Sequence, residues 1–372
     1  MEYRRLGRTE MKVSTVSLGG MGVISKYHKT LDDATRIVHT ALDRGVNLIE
    51  TARGYFDSEK IIGEVMKTRR ADTYLATKSY LRSAKRCEQQ IKESLENFQT
   101  KKIDLYQIHH VQYEYELEQI LAKGGAMEAV RSYQKQGLID HVGITSHHPR
   151  ILAQALETDE FDVVQFPFSV VERDHYAELL PICKQRDVGI IAMKVLSGGN
   201  LRNVGTAIKY VLSHEVATAV LGCSTVQHVV DDCEAAESFT QLTEDERERL
   251  AEEADRLPEN FCRRCRYCEP VCPAEIPIAD IFRVENYLIL NATYARNEYR
   301  TFKANSTNCI ECGECENICP YDLPVVDDLR RAHGRLNRGK LEDMAVNALR
   351  KVRLYDVARK LYFDLGGNLP ER

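Results

Sequence analysis

Eight of the twelve cysteines lie between Cys262 and Pro320, in two runs of nearly identical spacing. The first is Cys262-x2-Cys265-x2-Cys268-x3-Cys272-Pro273, and the second is Cys309-x2-Cys312-x2-Cys315-x3-Cys319-Pro320. This feature restricts the fold most, because eight sulfurs in one short stretch must converge on common centres. Three thiolates at i, i+3 and i+6 can hold three corners of a cubane, and the fourth Cys, followed by Pro, starts a helix towards a neighbouring cluster. A zinc site needs four ligands, usually as two separated pairs, and leaves the third Cys and the Pro without a role. Disulfides suit an oxidising compartment, for which nothing else in the chain argues. The runs therefore read as ligands of two 4Fe–4S clusters. On this pattern Cys262, Cys265 and Cys268 share one cluster with Cys319, and Cys309, Cys312 and Cys315 share the other with Cys272.

The 372 residues exceed the roughly 250 of a compact eight-fold α/β barrel, so a second domain is expected. A net charge of −5 gives no reason to expect nucleic acid. There is no run of about 18 apolar residues and no apolar signal region after Met1, so neither a membrane span nor secretion is expected and the cytoplasm is the expected compartment. Cys87, Cys183, Cys223 and Cys233 fall in apolar patterns and read as plain buried thiols.

From residue 13 to about 237, short apolar runs alternate with amphipathic helical patterns. Strands are expected at Val13–Leu18, Asn47–Ile49, Thr73–Ala76, Ile103–Ile108, His141–Ile144, Asp162–Phe166, Val188–Met193 and Ala217–Leu221. Helices such as Leu31–Arg44, Ser58–Arg69, Lys85–Phe98 and Met127–Gln136 lie between them. Eight such units predict an α/β chain with a (β/α)8 TIM barrel rather than a doubly wound sheet. Tyr3 to Ser14 reads as a hairpin closing the barrel floor, and Thr243–Leu257 as a helix leading to the cysteine region. The spacer between the cysteine runs, Pro277–Phe302, reads as two helices with Ile278, Ile281, Phe282, Tyr287 and Leu288 apolar, so a mainly helical ferredoxin-like domain is expected. Expected limits are 1–257 for the barrel, 258–335 for the cluster domain and 336–372 for a helical extension. Its basic amphipathic helix, Gly339–Leu365, reads as docking back on the protein.

Chemistry in such a barrel sits at the C-terminal ends of the strands. Those ends carry Glu50, Tyr55, Lys78 and His109. With Asn47-Leu-Ile-Glu-Thr-Ala-Arg-Gly-Tyr55, Ala76-Thr-Lys78-Ser, Asp104-Leu-Tyr-Gln-Ile-His109, Gly143-Ile-Thr-Ser-His147, Val164-Gln165-Phe-Pro-Phe-Ser169 and Gly222-Cys-Ser-Thr225, roughly residues 1–257 resemble the aldo-keto reductase family, in the subgroup with a ferredoxin-type tail. The resemblance implies an oxidoreductase that reduces a small carbonyl-type substrate with NADP or NAD. Tyr55 would be the proton donor, Lys78 its electrostatic partner, Glu50 the anchor of Lys78 and His109 the orienter of the carbonyl. A Tyr with an ordinary pKa near 10 is a poor acid without such help.

The resemblance also places Ser146, His147 and Gln165 on the nicotinamide carboxamide. Ser197, Gly198, Gly199 and Leu201 would hold the pyrophosphate, and Gly222, Ser224, Thr225 and His228 the adenosine end. The chain departs from the family in three ways. Glu50 stands where Asp is usual, Met193 offers a thioether where an aromatic ring often stacks on nicotinamide, and Gly222 and His228 stand where NADP-binding members carry Lys and Arg. Two clusters exceed what a staple needs, and NAD(P)H delivers electrons in pairs where a cubane takes one. The clusters are therefore expected to transfer electrons, with a ferredoxin or flavodoxin-type partner as donor and an oligomer as a further option. Structural or redox-sensing clusters beside an NAD(P)H-dependent barrel are the first alternative. A non-enzymatic electron-transfer protein on a degenerate barrel is the second.

Overall fold

The computed structural model describes residues 1–337 except 26, 27, 29, 112, 173–178, 258–260, 264, 265 and 287, and leaves the side chains of 286, 289–291, 293 and 294 undescribed. Cys265, Tyr287 and the helix expected over Gly339–Leu365 lie outside the described residues. The chain divides into two compact units, Met1–Ala254 and a second beginning at Asp255.

In the first unit β1 (Tyr3–Arg5) pairs antiparallel with β2 (Lys12–Ser14), Tyr3 opposite Ser14. Eight parallel strands follow and close a barrel: β3 (Val16–Gly19), β4 (Leu48–Glu50), β5 (Tyr74–Ser79), β6 (Ile103–Ile108), β7 (Ile139–Thr145), β8 (Val163–Pro167), β9 (Gly189–Met193) and β10 (Thr218–Leu221). The last strand pairs with the first, Leu221 opposite Leu18. The eight expected strands are all present. The exception in detail is Val13–Leu18, which is two strands rather than one. Thr15 is the crossing point: its N–H donates to Glu2 of the hairpin, while its carbonyl accepts from Ala219 of the barrel. Alternating apolar residues do not reveal such a change of partner. The helices Leu31–Asp43, Ser58–Arg69, Ala84–Phe98 and Ala126–Lys135 match the expected ones to within a residue at each end. The helix before the second unit spans Glu244–Asp255. Cys87, Cys183, Cys223 and Cys233 are buried.

The barrel fills from the floor. Leu6, at the hairpin turn, is fully buried against Val13, Leu48, Ala76, Leu105, Val163 and Ile191. Gly7 allows this approach, since its φ is +51° and a Cβ there would lie 2.2 Å from the backbone nitrogen of Gly189. Side chains two residues apart on a strand face the same way. Above the apolar Leu48, Ala76, Leu105 and Val163 therefore stand Glu50, Lys78, Gln107 and Gln165, all buried. The floor is apolar and the next layer is polar.

The second unit is mainly helical in its described residues. Ile278–Asn286, Leu288–Thr301 and Val325–Leu336 are helices around a core that includes Ile281, Phe282, Tyr299, Leu323 and Leu329. Among the described residues no helix is long and apolar enough to cross a membrane.

If Leu6 is the plug of the barrel floor, Leu6→Ala will lower unfolding free energy by about 2–5 kcal/mol, the range for truncating a fully buried leucine. Urea denaturation measures this, and a change below about 0.5 kcal/mol would show that the floor closes without it.

Candidate functional site

Glu50 is the last residue of β4, Lys78 lies one residue from the end of β5, and His109 follows β6 directly. Tyr55 comes from the turn after β4, held by its N–H to the carbonyl of Ala52 and by its carbonyl to the N–H of Ser58. The side chains of Lys78 and Glu50 are 1% and 4% exposed. The Lys78 ammonium contacts Oε1 of Glu50 and donates to the Thr51 carbonyl at 2.8 Å. It also stands 5.0 Å from the centre of the Tyr55 ring. The Tyr55 and His109 rings meet nearly edge-on at 5.8 Å, and Tyr80 stacks on His109 at 4.0 Å. The four residues singled out in sequence thus converge on one point at the mouth of the barrel.

The electrostatics follow from burial. Desolvation pushes the Lys78 ammonium well below its ordinary value, and the adjoining Glu50 carboxylate opposes that push. Desolvation first, then the charge of Lys78 and its neighbours His110, Arg82 and His147, holds His109 well below the usual imidazole range. His109 is therefore neutral at working pH and can give or accept a hydrogen bond without adding a second cation beside Lys78. His147 is held neutral in the same way, by burial first and then by His110, Lys194 and His148.

Of the residues set against a nicotinamide, Ser146 and His147 follow β7 directly and Gln165 lies midway along β8, and all three are buried. The Ser146 hydroxyl accepts from the His148 N–H at 2.9 Å. Gln165 donates to Glu50 at 3.0 Å and accepts from Gln107 at 2.8 Å. The turn after β9 is coiled on itself. Its Ser197 N–H donates to Lys194, and the N–H groups of Gly199, Asn200 and Leu201 all donate to Leu196. Ser197, Gly198 and Gly199 have φ of 46°, 72° and 86°. Most of the amides expected to cradle a pyrophosphate are therefore already engaged. A Cβ at Gly222 would stand in open space, Ser224 is half-buried, and Thr225 and His228 are exposed. Thr225 caps the helix Val226–Glu237 by accepting from the His228 N–H at 3.1 Å. A 2′-phosphate would meet no Lys or Arg at Gly222 or His228.

Sequence reasoning passed over Gln107, Tyr80 and Arg82. Arg82 donates to the carbonyls of His109 and His110, both at 2.9 Å, and so fixes the backbone that carries the histidine. Gln107 had a readable signal, since it is a polar residue two positions after the inward apolar Leu105 and just before the strand end.

In the second unit the cysteines sort into two cages. Cys272, Cys309, Cys312 and Cys315 line one with Ile276, Ile310 and Val326. Cys262, Cys268 and Cys319 line another with Arg263, Arg266 and Tyr321. Each cage joins residues of one run to the last cysteine of the other. Among the described residues no three Cys, His, Asp or Glu side chains close around a single metal ion, as zinc would require with sulfurs drawn to about 2.3 Å. The metal-ligating side chains in each lining are cysteines, three or more apiece, which is the donor set of an iron–sulfur cluster.

Residues 15–207, just over half of the chain, match the sequence pattern of the Aldo/keto reductase family. The chain belongs to that family. Residues 261–323 match a 4Fe-4S dicluster domain, which follows the aldo/keto reductase stretch in the sequence. Among similar proteins, the oxidoreductase YrpG of Bacillus subtilis is 30% identical over 239 residues, 56% of this chain and 70% of its own length. L-galactose dehydrogenase of Arabidopsis thaliana is 29% identical over 235 residues, 59% of this chain and 73% of its own. The solved structure of the aldo-keto reductase AKR11C1 from Bacillus halodurans shares the fold, with a TM-score of 0.60 at 24% identity over 68% of this chain and 96% of that one.

The division of ligands is testable without any substrate. Anaerobically prepared protein will carry about eight iron and eight sulfide per chain, and Cys319→Ala will carry about four, because only the cage shared with Cys262 and Cys268 is broken. Bound zinc, or unchanged iron in the variant, would refute the assignment.

Proposed function

We propose that the barrel reduces a carbonyl group of a small molecule, with Tyr55 as proton donor, and that the second unit carries electrons on two 4Fe–4S clusters. The observation that carries the first part is the meeting of the buried Lys78, Glu50 and His109 with the half-buried Tyr55 in one cluster. The two electrons of the reduction would come either together, as a hydride from a bound nicotinamide nucleotide, or one from each of the two reduced clusters, in which case the carbon takes its proton from solvent. The proton for the oxygen comes from the Tyr55 hydroxyl. Lys78 stabilises the phenolate that remains, at a site where burial strengthens every charge interaction. Glu50 and the Thr51 carbonyl hold the ammonium in place, so it does not have to reorganise as charge develops. Neutral His109 donates to the carbonyl oxygen and orients it. Tyr113 and Tyr115, stacked at 5.4 Å and exposed after β6, border the approach to this point.

The cages support the second part. Cys262, Cys265, Cys268 and Cys319 would hold one cluster and Cys272, Cys309, Cys312 and Cys315 the other, and a bound cluster exchanges single electrons. Cys312 is exposed beside Ile310, which is 66% exposed, so this cage opens towards a redox partner of ferredoxin or flavodoxin type. Paired cages supply more than a staple of the fold requires, and the intact cluster of four argues against a degenerate barrel.

Tyr55→Phe will reduce turnover by a factor on the order of 10²–10⁴, the usual loss for a general acid, while nucleotide affinity stays within twofold. Unchanged turnover would put the proton donor elsewhere. In the same preparation, dithionite-reduced clusters will reoxidise when a turned-over carbonyl substrate is added, followed by visible absorbance. Clusters that stay reduced while NAD(P)H alone sustains turnover would eliminate the electron-carrying role.

A further inference from the structure

Gln165 reaches the carboxylate of Glu50, 115 positions away in the chain, across the inside of the barrel. Its side chain is buried, and both ends of its amide are engaged. The sense of the chain of bonds is fixed by chemistry, because a carboxylate in contact with an ammonium can only accept. Gln165 must therefore turn its Nε2 to Glu50, which leaves its Oε1 for the Nε2 of Gln107. Glu50, Gln107 and Gln165 come from β4, β6 and β8, alternate strands that fill one layer of a barrel interior. Gly143 of β7 leaves room for this layer, since a Cβ there would press on Gln107 at 3.0 Å. Two buried amides thus point their positive ends, in series, at the carboxylate that holds Lys78.

The length of Glu50 is part of the arrangement. An Asp at this position would be shorter by about 1.5 Å, one carbon–carbon bond, and a carboxylate kept on Lys78 would leave the 3.0 Å contact with Gln165 beyond hydrogen-bond range. We propose that Glu50 and Gln165 are a matched pair in this chain, in which Gln165, backed by Gln107, is a positioning residue for the Glu50–Lys78 contact instead of a ligand of the nicotinamide carboxamide. Its consequence for turnover rests on the proposed carbonyl reduction, but the coupling belongs to the ligand-free protein.

A double-mutant cycle on the full, cluster-loaded chain tests the coupling. Without nucleotide, Gln165→Met will lower the melting temperature by several degrees in the native background and by less than a third of that beside Glu50→Asp. Gln107→Met will repeat the pattern with a smaller drop, which covers the case in which Gln165→Met fails to fold. Additive melting shifts would overturn the pairing. Calorimetric titration with NADH and with ADP-ribose, which lacks the nicotinamide, separates the two roles of Gln165. A positioning residue leaves the ratio of the two dissociation constants within twofold of native. A tenfold loss for NADH alone would restore Gln165 to the carboxamide and overturn the proposal. If neither nucleotide binds the native protein, the nicotinamide reading fails, and the melting cycle still decides the pairing. Where turnover is measurable, Gln165→Met will move the alkaline limb of kcat/KM to lower pH. A less firmly held Glu50 favours the charged form of Lys78 less, while Tyr55 and His109, its other neighbours, are unchanged. An unmoved limb with a lower maximum would mean a structural role only.

Discussion

A lysine with 1% of its side chain exposed, inside a barrel, is the constraint on which the first unit turns. Moving an ammonium out of water costs several kcal/mol, and the attraction of one carboxylate offsets this only when geometry and further hydrogen bonds are good. Lys78 has such surroundings: Glu50 from β4, the Thr51 carbonyl beyond it, and the face of Tyr55 at 5.0 Å. Glu50 in turn takes a bond from β8 through Gln165. Strands far apart in sequence must therefore be in register before the charge is tolerable. A slip of one residue on any of them would turn the polar group outwards and leave a buried charge alone. The apolar floor under Leu6 makes that register available, because it fixes the strands two residues below the polar layer.

Function builds on this arrangement with little added. Burial that would discharge Lys78 also keeps His109 and His147 neutral, so one cation faces the proposed proton donor rather than three. A single positive charge beside Tyr55 stabilises a phenolate, and neutral imidazoles leave that charge uncontested. The backbone on which His109 stands is pinned from the far side by Arg82. The proposed acid therefore works against a preformed field instead of creating one during reaction.

The barrel was legible because its strands are short apolar runs at regular spacing, and the cluster unit because eight cysteines repeat one pattern. Glu50, Tyr55, Lys78 and His109 could be picked out because strand ends are where chemistry sits. What stayed hidden were choices of hydrogen-bond partner. Thr15 changes partners in mid-run with no change of composition. The turn at Ser197 to Leu201 has the glycines of an anion cradle, yet three of its amides close on Leu196 and one on Lys194, and only the folded backbone distinguishes the two. Glu50 stands out in sequence only as a Glu where Asp is usual, with no sign of what its extra methylene reaches. Gln165, which takes up that length, lies on a strand that sequence separation gives no reason to consult.

The second unit has its own logic of long-range closure. Each cage takes its last cysteine from the other run, so neither can be completed by a local turn. The spacer helices Ile278–Asn286 and Leu288–Thr301 must first fold back to bring the runs together. Ile278, fully buried, lines both cavities, so one side chain forms part of the wall between them. The apolar core and the ligand sets are therefore one cooperative structure. A unit this small has limited apolar area to bury, and ligation energy then becomes folding energy. Crossed ligation would make that energy act across the whole unit, since each centre by itself ties one run to the other.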